Sequence, residues 1–114
     1  MSKARVKTNR PLILESAMRV PDGAGGYEEV WSALGTLWGQ VEARSGRLTN
    51  SHGATVSDLS VKITLRGAPV GASNRPVAGQ RLRSGERLFR VDSVSEDNAG
   101  GFYLICHCQE ERAV

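Results

Sequence analysis

Residues 59–66 read Leu-Ser-Val-Lys-Ile-Thr-Leu-Arg, an unbroken alternation of apolar and polar side chains. In an extended strand, successive side chains point to opposite faces. Leu59, Val61, Ile63 and Leu65 therefore face a core, and Ser60, Lys62, Thr64 and Arg66 face away. That is the pattern of a half-buried antiparallel strand. No apolar pattern of helical period is sustained anywhere in the chain. Whatever core this sequence builds must be built from strands.

Further strands are expected at residues 11–18, 27–33, 36–43, 88–94 and 102–108. Turn chemistry separates them. Pro21-Asp22-Gly23-Ala24-Gly25-Gly26 divides the first from the second. A bend near Gly35 divides the second from the third. Ser84-Gly85 leads into the fifth, and Asp97-Asn98-Ala99-Gly100-Gly101 into the last. The 114 residues suffice for one domain with a modest core. The expected fold is all-β, a small barrel of about six antiparallel strands with long loops. It would occupy residues 11–112 as a single domain. Residues 1–10 would form a flexible basic arm carrying Lys3, Arg5, Lys7 and Arg10 without an acid.

Two connections are long, residues 45–57 and 67–79. A structureless loop of that length in so small a domain is functional or disordered. Residues 45–57 are rich in Ser, Thr and Gly and suit a segment that orders against neighbours.

No reaction chemistry assembles from the remaining residues. His52 and His107 have no nucleophile or carboxylate at a useful spacing. Cys106-His107-Cys108 suggests a metal, but on a strand the two thiols face one side and the imidazole the other. A tetrahedral zinc site also wants a second ligand pair, which the sequence lacks. Adjacent acids, Glu28-Glu29 and Glu110-Glu111, point to opposite faces and make no acid/base dyad. The Gly-rich turn has no following Lys-Ser/Thr and is no phosphate loop. The expectation is a protein that is not an enzyme, with no cofactor and no metal. No apolar run suits a membrane span or a signal peptide, so a cytoplasmic origin is expected. Net charge is +3, unevenly spread: Arg75, Arg81, Arg83, Arg87 and Arg90 crowd one stretch with Glu86 alone. Such a stretch is either ordinary solvated surface or lies near DNA or an acidic partner.

The order of these segments resembles a known family. The Asp22–Gly26 turn precedes a strand bearing Trp31. Leu37-Trp38-Gly39-Gln40-Val41-Glu42 is similar to that family's W-A-x-V/I-E segment, with Gly39 where Ala is more usual, a harmless change at a small strand residue. Ile63-Thr64-Leu65-Arg66 resembles its I-T-L-R strand end. Arg81, Gly85-Glu86-Arg87, Phe89 and Val91 resemble R-x-x-x-G-x-x-F-x-I, and Leu104 to Glu110 resembles L-x-L-x-C-x-E. The family is the head–tail joining, or head-completion stopper, family of long-tailed phages, prophages and gene transfer agents. The similarity runs over roughly residues 8–111.

The resemblance implies a homo-oligomeric ring, hexamer or dodecamer, between a portal-bound adaptor and the tail terminator or tail tube. Its place would be the neck of a virion or virus-like particle assembled in the bacterial cytoplasm, around packaged double-stranded DNA held without sequence preference and without a membrane. The loop after the Val-Glu strand would reach the channel and close or line it. Here that loop offers Arg47, Leu48, Thr49, Asn50, Ser51 and His52. Lys3, Arg5, Lys7 and Arg10 would contact a neighbouring ring. Two alternatives stay open. One is a tail terminator of the same neck, distinguished by its position in the particle. The other is a small nucleic-acid-binding barrel, which calls for aromatics interleaved with bases on one strand face. Aromatics are only 5 % here, and Glu28, Glu29 and Glu42 flank the Trp-bearing strands.

Overall fold

The computed structural model describes residues 8–45, 49–51, 54–56, 59–69, 71–97 and 102–111. Eight strands run in chain order: β1 (Arg10–Pro21), β2 (Tyr27–Ser45), β3 (Thr49–Ser51), β4 (Ala54–Val56), β5 (Leu59–Arg66), β6 (Arg81–Ser84), β7 (Arg87–Asp97) and β8 (Tyr103–Glu111). Six of them close into an antiparallel barrel in the order β1-β2-β5-β8-β7-β6, with β6 returning to β1. β3 and β4 pair separately.

The alternation seen in residues 59–66 sets the interior. Val61, Ile63 and Leu65 of β5 are buried, with Leu12 and Leu14 of β1, Leu82 of β6, Phe89 and Val91 of β7, and Leu104, Cys106 and Cys108 of β8. Leu37, Val41 and Val94 pack against this core. Val91 and Val94 both serve it although three residues apart. A β-bulge between Val91 and Ser93 resets the alternation.

The expected strands at 27–33 and 36–43 are one strand. β2 runs unbroken for 19 residues. The bend at Gly35 is real but local. Leu14 pairs with Gly35 and Glu15 with Ala33, so Leu34 is the extra residue of a bulge, and Gly35 sits at φ 153°. The sixth barrel strand is β6, a four-residue strand too short to show an alternation of its own. It meets β7 in a hairpin whose turn places Gly85 at φ 62°.

Residues 67–69 and 71–79 are not structureless. The Gly67 amide donates to the Phe102 carbonyl at 2.8 Å, Ala72 to Pro69 at 3.0 Å, and Gly79 to Val91 at 3.0 Å. Arg75 Nη1 donates to the Ala68 carbonyl at 3.0 Å. Ala68 and Pro76 are buried. The segment is a strap packed onto the barrel end from which β5 departs. Its two prolines remove donors that the strap would otherwise have to satisfy.

Gly39 is not interchangeable with Ala in this chain. A Cβ there would lie 2.7 Å from Leu65 Cδ2, 2.9 Å from Leu12 Cδ1 and 3.1 Å from the Thr64 carbonyl oxygen. The two leucines occupy the space a methyl group would need. Gly39→Ala should therefore destabilise by about 1–3 kcal/mol through overpacking, read as a lower denaturation midpoint. Shortening Leu12 to Val in the same chain should recover part of the loss.

Candidate connector surfaces

Three regions carry the residues singled out by the sequence. The first is the segment between β2 and β5. The chain leaves the barrel at Ser45, which pairs with Ser60, and it re-enters at Leu59. In between lies a ribbon: Thr49 pairs with Val56, Asn50 with Thr55 and Ser51 with Ala54. Thr and Val favour this extended geometry, and the sequence between the two strands is short enough for a tight reversal. Thr49, Asn50 and Ser51 are thus brought together on β3. Arg47, Leu48 and His52 lie outside the described residues. The ribbon departs from the end of the barrel opposite the Asp22–Gly26 turn, since β2 connects the two.

The second region is the basic N-terminal stretch of the sequence, residues 3–10. Arg10 opens β1 opposite Gly39 and is exposed. Lys3, Arg5 and Lys7 lie outside the described residues.

The third is the arginine-rich stretch. Each of its five arginines has a partner within the chain. Arg81 Nε donates to Glu15 Oε1 at 2.5 Å, and Arg83 lies 3.3 Å from the same carboxylate. The Arg81 guanidinium also stacks 4.0 Å from the Trp31 ring. Arg87 holds Glu110 through two bonds, 2.8 and 2.9 Å, above the Phe89 ring. That bidentate bond raises the Arg87 pKa. Arg90 donates to Gln109 at 2.9 Å and faces Asp92 and Glu111 at 3.5 and 3.7 Å. Arg75 holds the strap. Register explains the pattern: β6 and β7 lie beside β1 and β8, which supply Glu15, Glu110 and Glu111. Four of the five arginines are thus paired with acids, most of them on strands distant in sequence, and Arg75 with a backbone carbonyl. This stretch is a solvated, self-paired face, and it gives no support to a nucleic-acid-binding barrel.

The remaining candidates are structural. Cys106 and Cys108 point inward and are free thiols, while His107 points outward and is half-buried. Burial pushes the Cys106 thiol up to about 12, and burial and then the neighbouring Cys106 and Asp92 raise Cys108 further. A thiol reagent at neutral pH should find neither group in the native protein and both after unfolding. The sign of the pH dependence follows. Above the ordinary thiol value of 9.0 the unfolded chain ionises while the folded chain does not. Stability should therefore fall as pH rises from about 9 toward 12, seen as a falling urea midpoint. At the β1–β2 turn, Asp22 Oδ1 accepts from the Ala24 and Gly26 amides at 2.8 and 3.0 Å, which lowers its pKa. Gly23 and Gly25 hold φ of 82° and 84° there, conformations that glycine adopts freely.

One feature escaped the sequence reading. The β1–β2 hairpin outruns the barrel, and its register continues to the Pro21–Tyr27 pair. Along it Met18 and Val30 are exposed although they continue the core-facing side of β1 and β2. Only the Met18-Arg19-Val20 alternation after the polar Glu15-Ser16 pair hinted at it.

The comparisons with known proteins agree with this architecture. No curated protein matches the chain. Among solved structures, it is similar to a chain of the virion of a native gene transfer agent particle. The two share 42 % identity and a TM-score of 0.78, over 98 % of this chain and 100 % of that one. The family model for phage head completion protein matches residues 4–111. With all but the ends of the sequence inside that match and the same fold in a particle component, the chain belongs to the phage head completion protein family.

Proposed function

We propose that the protein is a structural connector of the stopper type, one subunit of a ring between the portal-bound adaptor and the tail of a phage or gene transfer agent particle. The observation that carries the reading is the full-length similarity to a chain of a gene transfer agent virion, joined to the head completion family match. The architecture suits it. A closed barrel leaves little free strand edge and resists uncontrolled addition of strands. The ribbon of residues 49–56 extends from one barrel end, where copies from several subunits can converge on the DNA. Thr49, Asn50 and Ser51 are uncharged residues of β3, and Arg47, Leu48 and His52 belong to the same stretch of sequence. Lys3, Arg5, Lys7 and Arg10 dock on the adjacent ring. The partners are other copies of the chain, the adaptor or portal, the tail terminator or tail tube, and packaged DNA held without sequence preference. The role is non-enzymatic and its place is the particle neck.

Removing residues 45–57 tests the loop's part. The barrel should still fold, since the core side chains among the described residues come from β1, β2, β5, β6, β7 and β8 outside that segment, and filled particles should lose their DNA. Particles that assemble with the shortened chain and keep their genomes would overturn the channel-closing role. Location of the ring beside the adaptor, as seen by electron microscopy of intact particles, separates a stopper from a tail terminator.

A further inference from the structure

Two exposed faces of this barrel are complementary to each other. The first is the core-side face of the β1–β2 hairpin beyond the barrel. There Met18 pairs with Val30 and Val20 with Glu28. Met18 is 55 % exposed and Val30 42 %. Alternation along β1 places them on the side that carries Leu12 and Leu14 inside the barrel; past the Ser16–Ser32 pair that side turns apolar again at Met18 and Val30 and ends beside an acid. On the opposite side of the hairpin Arg81 lies over the half-buried Trp31, and Arg19 lies 5.1 Å over Tyr27, itself exposed.

The second face is the outer side of β1 and β2 at the hairpin's base. Pro11 pairs with Trp38, and Ile13 with Thr36. Trp38 is 55 % exposed and Ile13 37 %. An open cleft of about 190 Å³ lies alongside, lined by Trp38, Thr36, Arg66 and Asn74 among others. Arg66 stands next to Trp38, one residue past the Gly39–Leu65 pair. Neither Glu28 nor Arg66 makes an ion pair among the described residues.

We infer that the hairpin of one copy docks on the Trp38 face of the next, burying Met18 and Val30 against Trp38 and Ile13 and bringing Glu28 to Arg66. The occupant is a second copy because the two faces match in both respects, apolar to apolar and acid to base, and both belong to this chain. They are different faces, so the contact is head-to-tail, the kind that propagates until a rotation closes it into a ring. This rests on the connector reading and deepens it by naming the subunit contact. Trp and Met at the centre with charges at the rim is also the usual anatomy of such interfaces.

Cysteine cross-linking in intact particles tests it, with a short bismaleimide and the double variant Met18→Cys, Thr36→Cys. The native thiols are buried and stay silent. A ladder from dimer to complete ring is expected from the double variant and from neither single one. Glu28→Arg, added to it, should weaken the ladder about tenfold, a like-charge pair costing on the order of the 1.4 kcal/mol that corresponds to that factor. Arg66→Glu, added in turn, should restore it. Dimers from Met18→Cys alone would mean a two-fold contact and would overturn the inference. So would cross-links only to another particle protein, or a monomer band with the chain present in the particle. A chain absent from the particles altogether would sink the connector reading itself, an outcome that immunoblotting of purified particles distinguishes from the others.

Discussion

Phe89→Ala should lower the unfolding free energy by about 3–5 kcal/mol, the usual cost of deleting a buried aromatic ring and leaving a cavity. Phe89 is fully buried, opposite Leu82 on β6. It is also the floor on which Arg87 rests while holding Glu110. Losing the ring removes the largest buried side chain among the described residues and the surface on which the Arg87–Glu110 ion pair rests. Domains of this size hold only about 5–15 kcal/mol in total, so the variant should sit close to its unfolding transition at ambient temperature. Urea denaturation followed by tryptophan fluorescence reads the effect as a lower midpoint with an unchanged slope. Leu34→Ala, in the exposed bulge, serves as control and should stay within about 0.5 kcal/mol of the parent. A Phe89→Ala midpoint equal to the control's would contradict the central place given to this ring.

Glu15→Ala should cost about 2–4 kcal/mol, for a different reason. Glu15 is buried on the outside of the barrel, beneath Arg81 and Arg83, whose side chains are 12 % and 42 % exposed. Removing the carboxylate strands the more buried arginine without its counter-charge, and an uncompensated buried charge is costly. Most of that loss should come from the stranded charge rather than from a strong native attraction. The double variant Glu15→Met, Arg81→Met should therefore be more stable than Glu15→Met alone, and a double-mutant cycle in urea measures the difference. If the double variant were the less stable of the two, the stranded-charge account would fail.

The barrel itself was legible because its strands alternate. Residues 59–66 show the inward set directly, and β8 shows it again with Leu104, Cys106 and Cys108. Three things were hidden. The Leu34 bulge splits one strand into two apparent ones, since an inserted residue breaks period two just as a turn does. β6 carries a single core residue, Leu82, and four residues cannot display a period. The strap of residues 67–79 looks like an open loop because its order comes from backbone bonds to Phe102 and Val91, which no local pattern announces. For the candidate surfaces, the long connection between β2 and β5 could be read from the sequence, but not the β3–β4 pairing within it. The pairing of the arginines could not, because Glu15 and Arg81 stand 66 residues apart and meet only when the barrel shuts. Gly39 gives the reverse lesson: by size a harmless neighbour of Ala, it is fixed by what Leu12 and Leu65 do around it.

That late meeting has a kinetic side. β1 forms its hairpin with β2 locally, but its other edge waits for β6, after most of the chain has been made. Closing so long a loop is entropically uphill until the β1–β6 contacts reward it, and topologies rich in such pairings fold in milliseconds to seconds. The Glu15–Arg81 seam is then a latch that engages after the folding barrier and is released before the unfolding one. Weakening it should speed unfolding and leave the folding rate nearly alone. The latch then decides how seldom the closed barrel reopens along the β1–β6 seam.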